Sequence, residues 1–454
     1  MSKTHIEENI VQKVLQSNNP KVKIAIADID GVLRGKYIHK DKFSSAVKNG
    51  FGFCSVVFGW DTSDVCYDNC GLSGWHNGYP DVDAYIDLNT YRNVPWDNNI
   101  PFFLADFKGN SDKGLYACPR TLLRNINEQA QQLGFDAMFG QEFEWFNFRE
   151  NSDSLHAKNY ISPTPLTSGM FGYSLIRIAQ NQDFFNDIYD LLAKFDIPIE
   201  GLHTETGPGV LEAAILYGKI LDAADRAILF KTSVKEIAIK HNIMPSFMAK
   251  IDENLPGCSG HIHQSLWQDG ENTFFDAKDT NNMSATMKHY LAGQLHCLPY
   301  ILPMFAPTIN SYKRLVEGMW APTTVNWGID NRTVCARVLP ISAKATRIEL
   351  RVPGSDTNPY LAMAAALASG LYGIKHRLEL KQPAITGNGY LDKSGEKLSS
   401  TLIDAALKMQ KSEIAHELFG SKFVNHFTKT REWEWREHLK AVTDWEMKRY
   451  FEVI

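Results

Sequence analysis

Glu142 and Glu144, one residue apart in "GQEFEWFNF", form a pair whose type and spacing invite chemistry. On a strand, the side-chain period of two puts both carboxylates on one face and Phe143 and Trp145 on the other. Neighbouring carboxylates repel unless a cation lies between them; the bland alternative is a solvated strand face. "PIEGLHTETGPGVLEAA" brackets a Gly-Pro-Gly turn with Glu200, Glu205 and Glu212. Its pattern puts Glu205 at the end of extended chain and Glu212 in the first turns of a helix, so the two converge across the turn. "GCSGHIHQSLW" sets His261, His263 and Ser265 on one strand face, and "ATRIELRVPGSDTNPY" sets Arg347, Glu349 and Arg351 on another. That last face binds anions; in isolation it would be a salt-bridge ladder. The combined donor set holds carboxylates and imidazoles but no thiolate, which suits Mg²⁺ or Mn²⁺ rather than structural zinc. Cations beside several arginines point to a phosphate-bearing substrate and phosphoryl chemistry.

A different phosphotransferase signal lies in "KIAIADIDGVLRGK", where an apolar run leads to Asp28 and then to Asp30-Gly31, the presentation of a nucleophilic aspartate in haloacid dehalogenase-type enzymes. Such enzymes also need a downstream acidic pair, and no Asp-Asp occurs in the chain. Asp28 is therefore read as structural.

The elements that must hold these residues divide unevenly. At 454 residues the chain exceeds what one core usually supports, so a small domain and a larger one are expected. Up to about residue 112, short β-like runs alternate with Asp/Asn/Gly-rich loops, a small sheet domain. After Pro119, "RTLLRNINEQAQQLGF" has helical periodicity ending at Gly134, and "FDAMFGQEFEWFNF" reads as a strand. Val210 to about His241 reads as one long helix, and the last sixty residues as amphipathic helices packed on the body of the protein. A net charge of −5 gives no basic signature for nucleic acid, and no apolar run approaches the roughly 20 residues that span a bilayer. With no signal-peptide pattern and seven cysteines lacking any CxxC pair, the reading is a cytoplasmic protein with reduced thiols and no membrane or nucleic-acid partner.

The order of the motifs adds a resemblance. "GQEFEWF", "HTETGPGVLE", "FMAKIDENLPGCSGHIHQSL", "NSYKRL", "NRTVCARV" and "RIELRVPGSDTNPYLAMAAALASGL" together resemble the glutamine synthetase family in its long bacterial-type form, and most of all glutamate–amine ligases of the gamma-glutamylpolyamine synthetase kind. The resemblance implies an α+β fold: an N-terminal β-grasp domain over 20–112 and a catalytic domain over 118–454 with a curved antiparallel sheet and helices. In this family the early segment commonly reads as an aspartate, a glycine and "RGK", which also accounts for Asp28. Carried over, the resemblance implies one metal ion held by Glu144, Glu205 and Glu212 and a second by Glu142, His261 and Glu349. Glu200, Tyr217, His263, Ser265 and Lys344 match ATP-binding positions. Gly257, Arg314 and Arg351 match glutamate-binding positions, and Arg332 and Arg337 match the arginines that hold the transferring phosphate. It further implies Mg²⁺ or Mn²⁺, ATP as co-substrate, attack of the glutamate γ-carboxylate on ATP, aminolysis of the acyl phosphate, and a homododecamer with active sites between subunits.

The chain departs from the family's pattern at the nitrogen nucleophile alone. Glutamine synthetases read "NSYKRLVPGYEAP", whose glutamate helps build the ammonium pocket; this chain reads "NSYKRLVEGMWAP", with Trp320 in that place. An indole accepts no proton and carries no charge. The family's "FDGSS" acid is also missing, with Asp61 or Asp64 of "VVFGWDTSD" as substitutes in the amine pocket. An organic amine is therefore the expected nucleophile, with ammonia as the alternative if Glu317 or another acid completes the pocket. A catalytically inactive structural homologue is a second alternative, against which six retained metal ligands argue.

Overall fold

Alternation in "KVKIAIA" makes β1, Lys21–Ala27, the first strand of the computed structural model, which describes residues 3–108 and 114–454. It pairs antiparallel with β2, Leu33–His39. In the turn between them, the Asp28 carboxylate accepts from the main-chain N–H groups of Asp30 (3.0 Å) and Val32 (2.8 Å) and from Arg34 Nε (2.9 Å). Asn358 donates to its carbonyl, and Gly31 turns at φ 78° where a Cβ would press on Asn358 at 3.1 Å. Every oxygen of Asp28 is committed to the turn, which accounts for the motif without any nucleophile.

β3 (Phe51–Cys54), β4 (Asp81–Ile86), β5 (Arg92–Val94) and β6 (Ile100–Phe107) complete a sheet of order β2-β1-β6-β4-β3, with β5 against β6. Only β1 and β6 run parallel; the other pairings are antiparallel. The helix Lys40–Asn49 covers this sheet and stacks Phe43 on Phe103 at 5.1 Å. The boundary expected at 112 lies outside the described residues. The helix Pro119–Gln132 begins just after it and carries Arg120, 3% exposed, which bonds Asp87 (2.8 Å) and Asp106 (2.7 Å) of the first sheet region and Asp225 (2.8 Å). One guanidinium thus ties the small sheet to the larger body; its five fixed donors suit this multidentate role.

The second sheet is built on one long strand, β7 (Asp136–Phe148). It includes β8 (Ile199–Thr204), β9 (Val210–Ile215), β10 (Gly218–Lys219), β11 (Met244–Ser246), β12 (Ile262–Gln268), β13 (Glu271–Asn272), β14 (Trp327–Ile329), β15 (Ala336–Leu339) and β16 (Arg347–Leu350). The order is β14-β15-β16-β12-β7-β9-β8, antiparallel except for β14 and β15. Period two does the positioning: Phe143 and Trp145 are fully buried on one face of β7. They meet the helix Ile220–Ile239 and its neighbourhood through Phe143–Phe230 (5.8 Å) and Trp145–Phe247 (5.7 Å). Burial of each such side chain stabilises by roughly 1.5–3 kcal/mol, which fixes the strand so that Glu142 and Glu144 must share the opposite face. Behind it, the helices Ala285–Ile301 and Pro359–Lys375 touch backbone to backbone; a Cβ on Gly373 would lie 2.0 Å from the His289 carbonyl oxygen.

Two expectations need correction. The helix expected from Val210 starts at Ile220, because "VLEAAI" is claimed as β9 by pairing with β7 on one side and β8 on the other. Tertiary pairing overrides the helix propensity of its Leu, Glu and Ala. The C-terminal region is helical as expected, over Leu402–Lys411, Glu413–Phe419, Ser421–His438 and Asp444–Tyr450, but the last helix buries no residue. Its apolar side chains are not packed on the body of this chain. All seven cysteines are free thiols, as expected. Among the described residues no helix is long and apolar enough to cross a membrane.

Candidate active site

The shared face of β7 gathers donors from its neighbours by register. The main-chain N–H groups of Glu142 and Glu144 donate to the carbonyls of His261 (3.1 Å) and Ser259 (3.0 Å), which draws the entry to β12 alongside β7. Across the sheet, Glu144 and His203 both pair with Glu212, and His263 and Arg337 both pair with Glu349. Two clusters result, Glu142–His261–Glu349 and His203–Glu205–Glu212, each with ligand atoms within 4.8 Å of one another. The first is the set that the resemblance implied. In the second, His203 stands where Glu144 was expected; the Glu144 carboxylate accepts from the Ser259 N–H at 2.7 Å instead. Glu205 and Glu212 converge as anticipated, though across a β-hairpin rather than from strand to helix. His203 was missed. Its signal lay in "HTE", which puts His203 and Glu205 on one strand face.

Charge is concentrated here. Burial works against the Glu142 carboxylate, yet the hydrogen bonds from His261 (2.6 Å) and His263 (3.3 Å) hold it well below the ordinary range. Burial also works against Glu349, 1% exposed, but the charge of Arg351 and then of His261 keeps it low. Glu144 and Glu212 lack such compensation. Burial raises both, Glu212 to about 7 against the opposing hydrogen bond from His203. His261 Nε2 is buried without a hydrogen-bond partner among the described residues. A buried polar atom without a partner is costly. The other ring nitrogen, Nδ1, faces the carboxylates, 2.6 Å from Glu142 and 3.4 Å from Glu349, and this oxygen-rich donor set fits Mg²⁺ or Mn²⁺.

Beside the clusters lies a cavity of about 460 Å³ whose lining includes Glu200, Tyr217, His263, Ser265 and Lys344, all five positions matched to ATP. On the other side, Arg314 and Arg351 are both buried; Arg314 donates to the carbonyls of Val352 (2.9 Å) and Arg351 (3.2 Å), and Arg351 Nε has no partner among the described residues. Gly257 packs so closely that a Cβ would lie 2.7 Å from Arg314. Arg337 bonds Asp330 and Glu349, whereas Arg332 is exposed. Trp320 is 59% exposed in the left-handed region at φ 59°. Glu317 is also exposed and leans to Lys397 at 4.0 Å. Asp61 and Asp64 are engaged elsewhere: Asp61 accepts from Trp433 Nε1 (3.0 Å) and its own turn, and Asp64 pairs with Arg34 (2.8 Å).

Residues 116–450 match the family described as glutamine synthetase, catalytic domain. The chain belongs to the glutamine synthetase family. Relatives include type-1 glutamine synthetase 2 of Dictyostelium discoideum, 52% identical over 99% of this chain and 87% of the relative. Glutamate–isopropylamine ligase of a Pseudomonas species is 35% identical over 96% of each chain. The solved structure of GmaS in complex with ADP superposes with a TM-score of 0.85 at 25% identity, covering 98% of this chain and 99% of that one. Glutamine synthetase-family enzymes are ATP-dependent ligases of glutamate with ammonia or an amine, which is phosphoryl chemistry.

A pH-dependent response to cations follows from the carboxylates. With its folded value raised from 4.5 to about 7, Glu212 holds a proton in the folded state that the unfolded chain has shed, so its contribution to stability falls as pH rises through that window. A cation must displace this proton at pH 6 but not at pH 8. Saturating Mn²⁺ is therefore expected to raise the melting temperature more at pH 8 than at pH 6, the stabilisation reaching about 2.7 kcal/mol at a hundredfold excess over Kd. Differential scanning fluorimetry checks it; an equal or larger rise at pH 6 would contradict it.

Proposed function

We propose that the protein joins the γ-carboxylate of glutamate to an organic amine, with ATP cleaved to ADP and phosphate. The observation that carries this reading is Trp320: an exposed indole stands at the sequence position of the family's ammonium-pocket carboxylate, and Glu317, three residues before it, leans to Lys397. In this reading Glu200, Tyr217, His263, Ser265 and Lys344 hold ATP, Gly257, Arg314 and Arg351 hold glutamate, and Arg332 and Arg337 face the transferring phosphate. Glu142, His261 and Glu349 hold one divalent cation; Glu144, Glu205 and Glu212 hold another. Bound there, the cations supply positive charge against that spread over the phosphoryl oxygens.

The glutamate γ-carboxylate oxygen attacks the γ-phosphorus and the bond to ADP breaks, giving γ-glutamyl phosphate. The amine nitrogen then attacks the acyl carbon, phosphate leaves with its C–O electron pair, and the nitrogen sheds a proton. An apolar wall at Trp320 favours the neutral form of an amine, because desolvation penalises the charged one, and it gives an alkyl body surface to bury. The test is ATP-dependent phosphate release with glutamate and a panel of nitrogen nucleophiles. At least one alkylamine, ethanolamine or polyamine is expected to give higher kcat/KM than ammonia; a panel in which none does would defeat the proposal.

The second reading, glutamine formation from ammonia, has its own support in the name of the Dictyostelium relative at 52% identity. Under either reading we take the assembly to be a dodecamer with active sites between subunits. Sedimentation velocity tests this; a monomer that still turns over ATP would rule it out.

A further inference from the structure

The turn that follows β14 presents Asp330 to Arg337 from a firmly held backbone. Asp330 sits at φ 47°, in the left-handed region, which aspartate tolerates better than most residues. Its main-chain N–H donates to the Val338 carbonyl on β15 (2.9 Å). The next residue, Asn331, donates through Nδ2 to the carbonyls of Ile385 (3.1 Å) and Gly387 (2.9 Å) and accepts through Oδ1 from the N–H (2.9 Å) and hydroxyl (2.6 Å) of Thr333. A Cβ on Gly328 would lie 2.7 Å from the Ile385 carbonyl oxygen, so the strand before the turn packs on the same segment. A turn fixed at this many points aims the side chain it carries. That side chain accepts on one oxygen, Oδ1, from both Nε (3.0 Å) and Nη2 (2.5 Å) of Arg337.

The Asp330 side chain is 66% exposed, and an ion pair so open to water contributes little to folding stability. What the pair supplies is orientation. Glu349 accepts from Arg337 Nη1 (2.7 Å), while its other oxygen is engaged by Arg351. A bond at one nitrogen leaves a guanidinium on a long side chain free to swing about that bond. Asp330 takes the opposite edge, so the two carboxylates together set the plane. A guanidinium has five N–H donors. Among the described residues three are committed in this way, which leaves one on each terminal nitrogen, Nη1 and Nη2, for the oxygens of an anion.

We propose that Asp330 is a positioning residue that orients Arg337 toward the transferring phosphate. The inference rests on the reading of Arg337 as a phosphate-holding arginine, and the experiment separates the two. Phosphate release from ATP and glutamate is measured at steady state with ammonia and, separately, with ethanolamine. The proteins compared are the parent, Asp330→Ala, Asp330→Asn, Arg337→Met and the double variant Asp330→Ala/Arg337→Met, with melting temperature as a fold control. Asp330→Ala is expected to lower kcat by about 10- to 100-fold, up to the cost of misplacing a reacting contact by about 1 Å. KM for ATP is expected to stay within about twofold, because an interaction made only in the transition state lowers kcat and kcat/KM alike. The loss is the same with either nucleophile, since phosphoryl transfer precedes the attack of nitrogen. Asp330→Asn keeps the acceptor oxygen and is expected to stay within about fivefold of the parent. In the Arg337→Met background, Asp330→Ala is expected to cost nothing further, the non-additivity of residues that act through one another. If Arg337→Met turns over like the parent, the reading of Arg337 falls and the inference with it. If Arg337→Met is slow while Asp330→Ala matches the parent, the inference is overturned and that reading stands. An equal loss from Asp330→Ala in both backgrounds, a raised KM for ATP with kcat unchanged, a loss confined to one nucleophile, or an Asp330→Asn variant as slow as Asp330→Ala also overturns the inference, because none of these is the effect of an acceptor that orients one arginine.

Discussion

Glu349→Gln is expected to lower kcat by on the order of 10³-fold, the upper range for removing one electrostatic stabiliser of a transition state. The carboxylate accepts from Arg337 Nη1 at 2.7 Å and from Arg351, and lies 3.4 Å from His261 Nδ1. It therefore joins the Glu142–His261–Glu349 cluster to Arg337 and Arg351, which the proposed function sets at the transferring phosphate and at glutamate. Glutamine keeps the shape but removes the charge and, with one acceptor oxygen in place of two, gives up one of the two arginine hydrogen bonds. Glu349→Ala would leave the buried Arg351 uncompensated, and breaking a buried pair in that way costs about 3–5 kcal/mol, so the alanine variant mixes a folding defect with a chemical one. Phosphate release with ATP, glutamate and the preferred amine, measured beside the melting temperature, checks the expectation. Near-normal turnover by Glu349→Gln would mean that the cluster around His261 holds no catalytic cation.

Trp320→Glu is expected to raise kcat/KM for ammonia by about 10²-fold, the lower range for a positioned acid–base group, and to lower it for the preferred organic amine. A carboxylate at this position attracts ammonium by its charge and accepts the proton that the attacking nitrogen must lose. Residue 320 is 59% exposed, so the exchange leaves no core cavity, and its left-handed backbone strains glutamate no more than tryptophan. Steady-state kinetics with both nucleophiles measures the shift. An unchanged preference would place the selection of the amine elsewhere in the pocket.

The parts of this site legible in the sequence are those in which a single strand carries the pattern. Glu142 and Glu144, His261 and His263, and Arg347, Glu349 and Arg351 each declare a face by period two, and their meeting across β7, β12 and β16 follows from motif order in the family. What a single segment cannot show is pairing. "VLEAAI" carries a residue composition at home in a helix, and only its place between β7 and β8 makes it a strand. His203 joins Glu212 by the same pairing. Asp61 and Asp64 illustrate the converse: their types suited a pocket, but Trp433 and Arg34 already engage them.

The central claim, that the nucleophile is an organic amine, is tested most directly by competition. The protein is given ATP, glutamate and equal concentrations of ammonia and the best amine of the panel, and the products are resolved by mass spectrometry. The account predicts the γ-glutamyl amide of the organic amine as the major product, with glutamine minor. Glutamine as the major product under those conditions would contradict it.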